Sequence, residues 1–273
     1  MTAKFSANPS SPSPSSGVLL VGHGTREEAG TREFMELAKR LAPRVSPLPL
    51  AACFLELAEP AIPAGVARLL DCGATEIVVA PVLLFSAGHA KRDIPAAVAA
   101  ALDAARRSDV VVRQAAHLGC AEGMLQLSRR RFQEAVAAAA GTNADPRATR
   151  LIIVGRGATD HDALDEMRRF AELRTAAGEA GSVVTAFAAL AEPRLETALD
   201  EAAEAQEKLI VVQPHLLFAG TLTERISRLV AERAQRHPAK RWLQTRHLGA
   251  EPELVATLAG QISAAAGANR YRM

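Results

Sequence analysis

Three side chains of this 273-residue chain are of the types that hold a divalent metal ion and move protons: His23, Glu56 and His89. Each follows a short apolar run. His23 stands between Gly22 and Gly24, Glu56 ends Phe54-Leu55-Glu56, and His89 follows Ser86-Ala87-Gly88. Glycines on both sides let a backbone turn sharply and bring an imidazole to a rim. A neutral imidazole ligates Co, Ni, Fe or Zn, and its reference pKa of about 6.5 suits it to take a proton near neutrality. A carboxylate adds charge and a second proton acceptor. Two nitrogens and one oxygen suit Co²⁺, Fe²⁺ or Ni²⁺. Plainer readings exist: His23 as a loop residue capping the next helix, and Glu56 as a surface acid opening a turn.

An internal repeat weighs against the plainer readings. Val21-Gly22-His23-Gly24 returns as Val154-Gly155-Arg156-Gly157, Phe54 to Pro60 as Phe187 to Pro193, and Pro81 to Phe85 as Pro214 to Phe218. The offset is 133 residues each time. Three pairs in one register indicate a duplicated fold. Glu59 recurs as Glu192 before Pro193, so it reads as a charge at a helix start. His23, Glu56 and His89 do not recur; Arg156, Ala189 and Leu222 stand in their places. One active site, carried by the first copy, is the expectation.

The elements that position these residues alternate. Strands are expected at Val18–Val21, Leu48–Leu55, Glu76–Leu84 and Val110–Arg113, with helices at Glu27–Leu41, Pro60–Leu70, Ile94–Arg107 and Glu122–Ala140. Further strands are expected at Leu151–Val154, Val183–Phe187, Leu209–Val212 and Trp242–Thr245, with helices between and after them. The fold class is α/β: two flavodoxin-like lobes, each a parallel four-stranded sheet flanked by helices with right-handed crossovers. The expected divisions are a disordered tail over 1–16, one lobe over 17–142 and a degenerate second lobe over 148–273, joined by Gly141–Pro146. Ligands of such sheets bind beyond the carboxyl ends of the strands, where His23, Glu56 and His89 all fall.

Composition narrows the classes. An apolar fraction of 49%, a charged fraction of 23% and a net charge of +2 describe an ordinary globule with no case for nucleic acid. Aromatic residues at 4% disfavour a base-stacking surface. No apolar run spans a bilayer, and the first sixteen residues lack a signal-peptide core. Cys53, Cys72 and Cys120 form no CxxC pair; they read as reduced cytoplasmic thiols, with Cys53 and Cys72 in the core. No P-loop, GxGxxG element or serine-hydrolase elbow is present, so no nucleotide cofactor is expected.

Other candidates divide. His117 and His247 both open His-Leu-Gly after a fourth strand and read as shared scaffold. His161 and His237 read as exposed. Asp93 reads as the N-cap of the helix at Ile94-Pro95, or as a residue that orients His89. His215 replaces Val82 at a strand end and could touch substrate or metal if the two rims face each other. Lys91, Arg92, Arg156 and Arg225 are solvated cations or carboxylate-binding ones, and for Arg225 the solvated reading is preferred.

Val-Gly-His-Gly-Thr-Arg, Phe-Leu-Glu and Pro-Val-Leu-Leu-Phe-Ser-Ala-Gly-His-Ala-Lys-Arg-Asp-Ile-Pro resemble the signature of the CbiX/SirB sirohydrochlorin chelatases from about Gly17 to the C-terminal region. The resemblance implies a class II chelatase, which inserts Co²⁺ or Fe²⁺ into sirohydrochlorin without ATP, for cobalamin or sirohaem synthesis. It implies His23, Glu56 and His89 as metal-binding and catalytic residues. It also implies a monomer acting as a fused pseudo-dimer, with the macrocycle between the lobes and Arg156, Lys91, Arg92 and His215 as candidate substrate contacts. A non-catalytic metal carrier or tetrapyrrole-binding protein on the same scaffold is the alternative. The chain departs from some long members in having no His-rich tract and no Met-x-Cys-x-x-Cys motif, so an iron–sulfur cluster has no support.

Overall fold

The computed structural model describes residues 16–85, 92–138, 145 and 148–267. The first half runs β1 (Ser16–Gly22), α1 (Glu28–Val45), β2 (Leu50–Phe54), α2 (Ile62–Asp71), β3 (Glu76–Pro81), α3 (Ile94–Ala104), β4 (Val111–Gln114) and α4 (Glu122–Ala138). The second half repeats it: β5 (Thr149–Gly155), α5 (His161–Ala176), β6 (Ser182–Phe187), α6 (Leu195–Glu204), β7 (Leu209–Pro214), α7 (Thr221–Arg236), β8 (Arg241–Gln244) and α8 (Pro252–Gly267). Both sheets are four-stranded and parallel, ordered β2-β1-β3-β4 and β6-β5-β7-β8. The expected tail over 1–16 lies outside the described residues except for Ser16, which opens β1. Most of the Gly141–Pro146 connection also lies outside them.

The sequence dictates these layers. Val18, Leu19, Leu20 and Val21 of β1 are all fully buried, as a parallel strand covered on both faces requires. β2 begins at Leu50, later than expected, because Pro49 lacks the N–H that would continue the ladder. β3 ends at Pro81, earlier than expected, although bonds continue past it: Val82 N donates to Val21 O at 2.8 Å, and the Leu83 and Leu84 carbonyls accept from Leu118 N at 3.0 Å and Gly119 N at 2.7 Å. The chain then leaves the sheet toward the rim. α2 starts beside Pro63, whose fixed φ suits a first turn.

The outer faces are covered locally. One apolar cluster joins β1–β3 to α2 and α3, through Ile62, Val66 and Val98. Its counterpart joins β5–β7 to α6 and α7, through Leu195, Leu199 and Ile226. The inner faces are covered by exchange. α8, from the second half, packs on α1, β3 and β4, whereas α4, from the first half, packs on α5, β7 and β8. The third cluster therefore runs through both halves, from Leu20 and Phe34 to Leu151 and Phe170.

Polar groups pin this exchange. Arg131 of α4 is 2% exposed and donates to the carbonyls of His247 (3.1 Å) and Leu248 (2.8 Å) and to Glu251 (2.6 Å). Arg130 reaches Glu251 and Glu253 at 2.7–3.0 Å. Arg130 is held well above its usual range, first by its hydrogen bond to Glu253. The scaffold reading of His117 and His247 acquires partners here. His117 Nε2 meets Glu166 of α5 at 2.7 Å, and His247 Nε2 meets Glu33 of α1 at 2.9 Å. Each pair joins one half to the other, at matching places. Glu33 also accepts the Ala219 N–H at 2.8 Å. Glu33→Ala should therefore lower the unfolding free energy by about 1–2 kcal/mol in urea titration. An unchanged midpoint would mean that the inter-half pair contributes nothing.

The cysteines separate. Cys53 is buried in β2, and burial pushes its thiol up to about 12. Cys72 is exposed, contrary to expectation, because it is the C-cap residue of α2 and the helix has ended there. His161 is exposed at the start of α5, whereas His237 is half-buried as the C-cap of α7.

Candidate active site

His23 and Glu56 are brought together by an extension of the β1–β2 ladder. Leu55 N donates to Gly22 O at 2.9 Å, and Glu56 N donates to His23 O at 3.1 Å. The side chains then meet above the strand ends, with His23 Nδ1 3.4 Å from Glu56 Oε1. Gly24 permits this approach. Its φ is +97°, and a Cβ there would sit 1.7 Å from the Glu56 carbonyl oxygen. His23 is half-buried and Glu56 more exposed, so one end of the pair is open to solvent. An imidazole and a carboxylate at this spacing offer a nitrogen and an oxygen to one divalent ion, and two acceptors for protons. Among the described residues no third His, Cys, Asp or Glu completes a metal-holding group. His89 and Lys91 lie outside the described residues.

The second half repeats the backbone and changes the side chains. Ala188 N donates to Gly155 O and Ala189 N to Arg156 O, both at 2.9 Å. Gly157 has φ +89°, and a Cβ there would lie 2.0 Å from the Ala189 carbonyl oxygen. Arg156 and Ala189 thus occupy the places of His23 and Glu56. Glu59 and Glu192 recur in role as well: each accepts the N–H of the residue just before its helix, at 2.8 Å.

Both rims line a cavity of about 660 Å³. Its walls are mainly apolar, with Phe34, Phe54 and Phe85 from the first half and Phe187, Leu217 and Phe218 from the second. His23 and Arg26 line it on one side and Arg156 on the other, and both arginines are exposed. The space suits a flat apolar ligand whose anionic edges meet cations at the mouth.

The CbiX family model matches residues 17–135 and again 150–265. The chain belongs to the CbiX family. A sirohydrochlorin cobaltochelatase of Priestia megaterium is 29% identical over 240 residues, covering 87% of this chain and 76% of that protein. A sirohydrochlorin ferrochelatase of the same organism is 29% identical over 246 residues, covering 90% and 88%. The solved structure of SirB from Bacillus subtilis with Fe³⁺ matches with a TM-score of 0.81 at 25% identity, covering 93% of this chain and 96% of that one. Two matches to one CbiX unit restate the duplication read from the 133-residue offset. Cobalt- and iron-named relatives are equally similar, so similarity does not select the metal.

The remaining expected residues of this CbiX chain fall in different places. Arg156 lines the cavity. Arg92 is exposed just before α3 and is not among the described residues lining the cavity. Asp93 holds the N-cap position of α3 without a side-chain capping bond, because its own backbone is already helical. Arg225 is part-buried and does not line the cavity: it donates to the Ala188 carbonyl and, at 2.5 Å, to Glu196, tying down the connection after β6. Arg26 and the phenylalanine walls went unread in the sequence. Arg26 lay in the quoted Val-Gly-His-Gly-Thr-Arg segment, and its place three residues after His23 was the available signal.

His215 lines the cavity but is 1% exposed. Its ring lies 4.2 Å from Phe170 and 5.5 Å from Phe85, centroid to centroid. Burial pushes its pKa from 6.5 down to about 3, so it is neutral at working pH. The unfolded chain binds the proton that the folded chain refuses between these two values. Stability should therefore fall as pH drops from 6.5 toward 3, and His215→Leu should remove part of that slope. Parallel slopes for both proteins in urea titrations across this range would contradict it.

Proposed function

We propose that the chain is a sirohydrochlorin chelatase, inserting Co²⁺ or Fe²⁺ into the macrocycle without a nucleotide. The observation that carries this reading is His23, which lines a two-sided apolar cavity and stands 3.4 Å from Glu56, in a CbiX-family chain. Insertion has two requirements. The ion must shed water, and two pyrrole N–H groups must lose their protons, which balances the two positive charges that enter.

His23 and Glu56 are assigned the replacement of water on the ion, with His89 as the third ligand. The repeat supports His89, because its counterpart Leu222 lines the same cavity. As the metal passes to the macrocycle, the released imidazole and carboxylate become free to accept the pyrrole protons. Arg26 and Arg156, one from each half, are assigned to the peripheral carboxylates, which a guanidinium can grip with two parallel bonds. The apolar walls hold the macrocycle faces. Glu27 at the same mouth disfavours an all-anionic ligand lying flush against that edge.

We further propose that the protein acts as a monomer, its two halves supplying the two walls, in the reducing cytoplasm where its three free cysteines persist. Among the described residues no helix is long and apolar enough to cross a membrane.

The test is spectroscopic. Purified protein, sirohydrochlorin and Co²⁺ or Fe²⁺ under anaerobic conditions should show a faster visible-spectrum change than protein-free controls. Equal rates, with tight macrocycle binding in a parallel titration, would instead make the protein a tetrapyrrole carrier. Comparing the two metals assigns the product.

A further inference from the structure

The strands β3 and β7 are counterparts, yet their inward-facing ends differ. Ala80 and Val82 of the first half become Gln213 and His215 in the second. Gln213 is fully buried and is given partners: its Nε2 donates to the Ser128 carbonyl at 3.1 Å and hydroxyl at 2.9 Å. Buried Arg174, beside them, donates to the same hydroxyl at 3.1 Å and to Glu179 at 2.7 Å. Two residues further on, His215 is buried with neither ring nitrogen hydrogen-bonded. A buried polar group without a partner destabilises the fold, and an aliphatic residue already fills the matching place in the first half. The fold supplied partners for the Gln213 amide nitrogen and for Arg174; the Gln213 Oε1 and both His215 ring nitrogens have none, and of the three residues His215 alone lines the cavity.

We infer that His215 anchors the substrate from the second half, its ring N–H donating to a carboxylate oxygen at the macrocycle periphery. This rests on the chelatase reading and deepens it. A neutral imidazole always carries one N–H, and inside an apolar wall a carboxylate oxygen needs a donor that brings little desolvation cost of its own. Phe85 of the first half and Phe170 of the second flank the ring, so the same contact would register the macrocycle against both halves. The second half thereby has a positioning role that Arg156 at the open mouth cannot fill.

Two variants test it. His215→Leu removes the hydrogen bonds and keeps the approximate volume; His215→Gln restores a neutral donor. Metal-free sirohydrochlorin is titrated against each by fluorescence quenching, beside thermal unfolding and insertion kinetics. The expected result for His215→Leu is a Kd and a KM raised at least tenfold, kcat within about threefold of the parent, and a Tm no lower than the parent's. His215→Gln should recover most of the lost affinity. An unchanged Kd in His215→Leu overturns the inference, as does equal weakening in both variants, which would mark a packing role. If the parent binds macrocycle without inserting metal, the chelatase reading fails and the anchor stands on the Kd difference alone.

Discussion

His23→Ala should lower the rate of metal insertion by about 10²–10⁴-fold, with no change in unfolding midpoint. The effect is large because one imidazole is assigned two tasks, ligating the incoming ion and accepting a pyrrole proton. Glu56, 3.4 Å away, would be left without the nitrogen that shares the ion. The fold should be indifferent, since His23 sits partly exposed at a rim and its backbone bond to Glu56 N does not need the ring. Arg156→Ala at the matching place in the second half should behave differently. Loss of a carboxylate grip raises KM by about tenfold and leaves kcat nearly intact. Steady-state rates at saturating Co²⁺ or Fe²⁺ separate the two. If His23→Ala retained more than a third of the parent kcat, the chemistry would have to be assigned elsewhere.

The contrast between the halves is also what made the candidate site legible in the sequence. His23 and Glu56 stood out because Arg156 and Ala189 replace them within a copied scaffold, and the structure places both pairs on identical backbone bonds. The sheets were legible from short β-branched apolar runs such as Ile77 to Ala80, which read as strands covered on both faces. The exchange of α4 and α8 was not. Helical periodicity says which face is apolar, never which sheet will cover it. Its clearest marks are ion pairs such as Arg130–Glu253 and Arg131–Glu251, more than a hundred residues apart and invisible to any local charge pattern. For the same reason His117 and His247 could be read as shared scaffold, while their partners Glu166 and Glu33 could not be named. Arg225 was read as solvated because its helical spacing gives no sign of its partners, the Ala188 carbonyl after β6 and Glu196 in the first turn of α6.

Gly24→Ala should cost more than about 3 kcal/mol of stability and abolish insertion together. Two effects add at this position. Alanine is strained at a φ of +97°, and its Cβ would stand 1.7 Å from the Glu56 carbonyl oxygen, far inside contact distance. The obstacle is backbone, so no side-chain rotation relieves it; the His23 and Glu56 loops must separate. Separation breaks the bond from Glu56 N to His23 O and pulls the imidazole from the carboxylate. Gly157→Ala is the built-in control. Its φ is +89°, its Cβ would stand 2.0 Å from the Ala189 carbonyl oxygen, and the same ladder bond, Ala189 N to Arg156 O, is at risk. Its stability loss should be similar, yet protein that remains folded should keep a measurable kcat, since the loop it disturbs carries Arg156 and not the His23–Glu56 pair proposed to hold the metal. Chemical denaturation measures the first effect, and insertion rates well below the unfolding temperature of each variant measure the second. Equal kcat losses in the two variants would mean that both rims share the chemistry, and the assignment of metal insertion to the first half would fall.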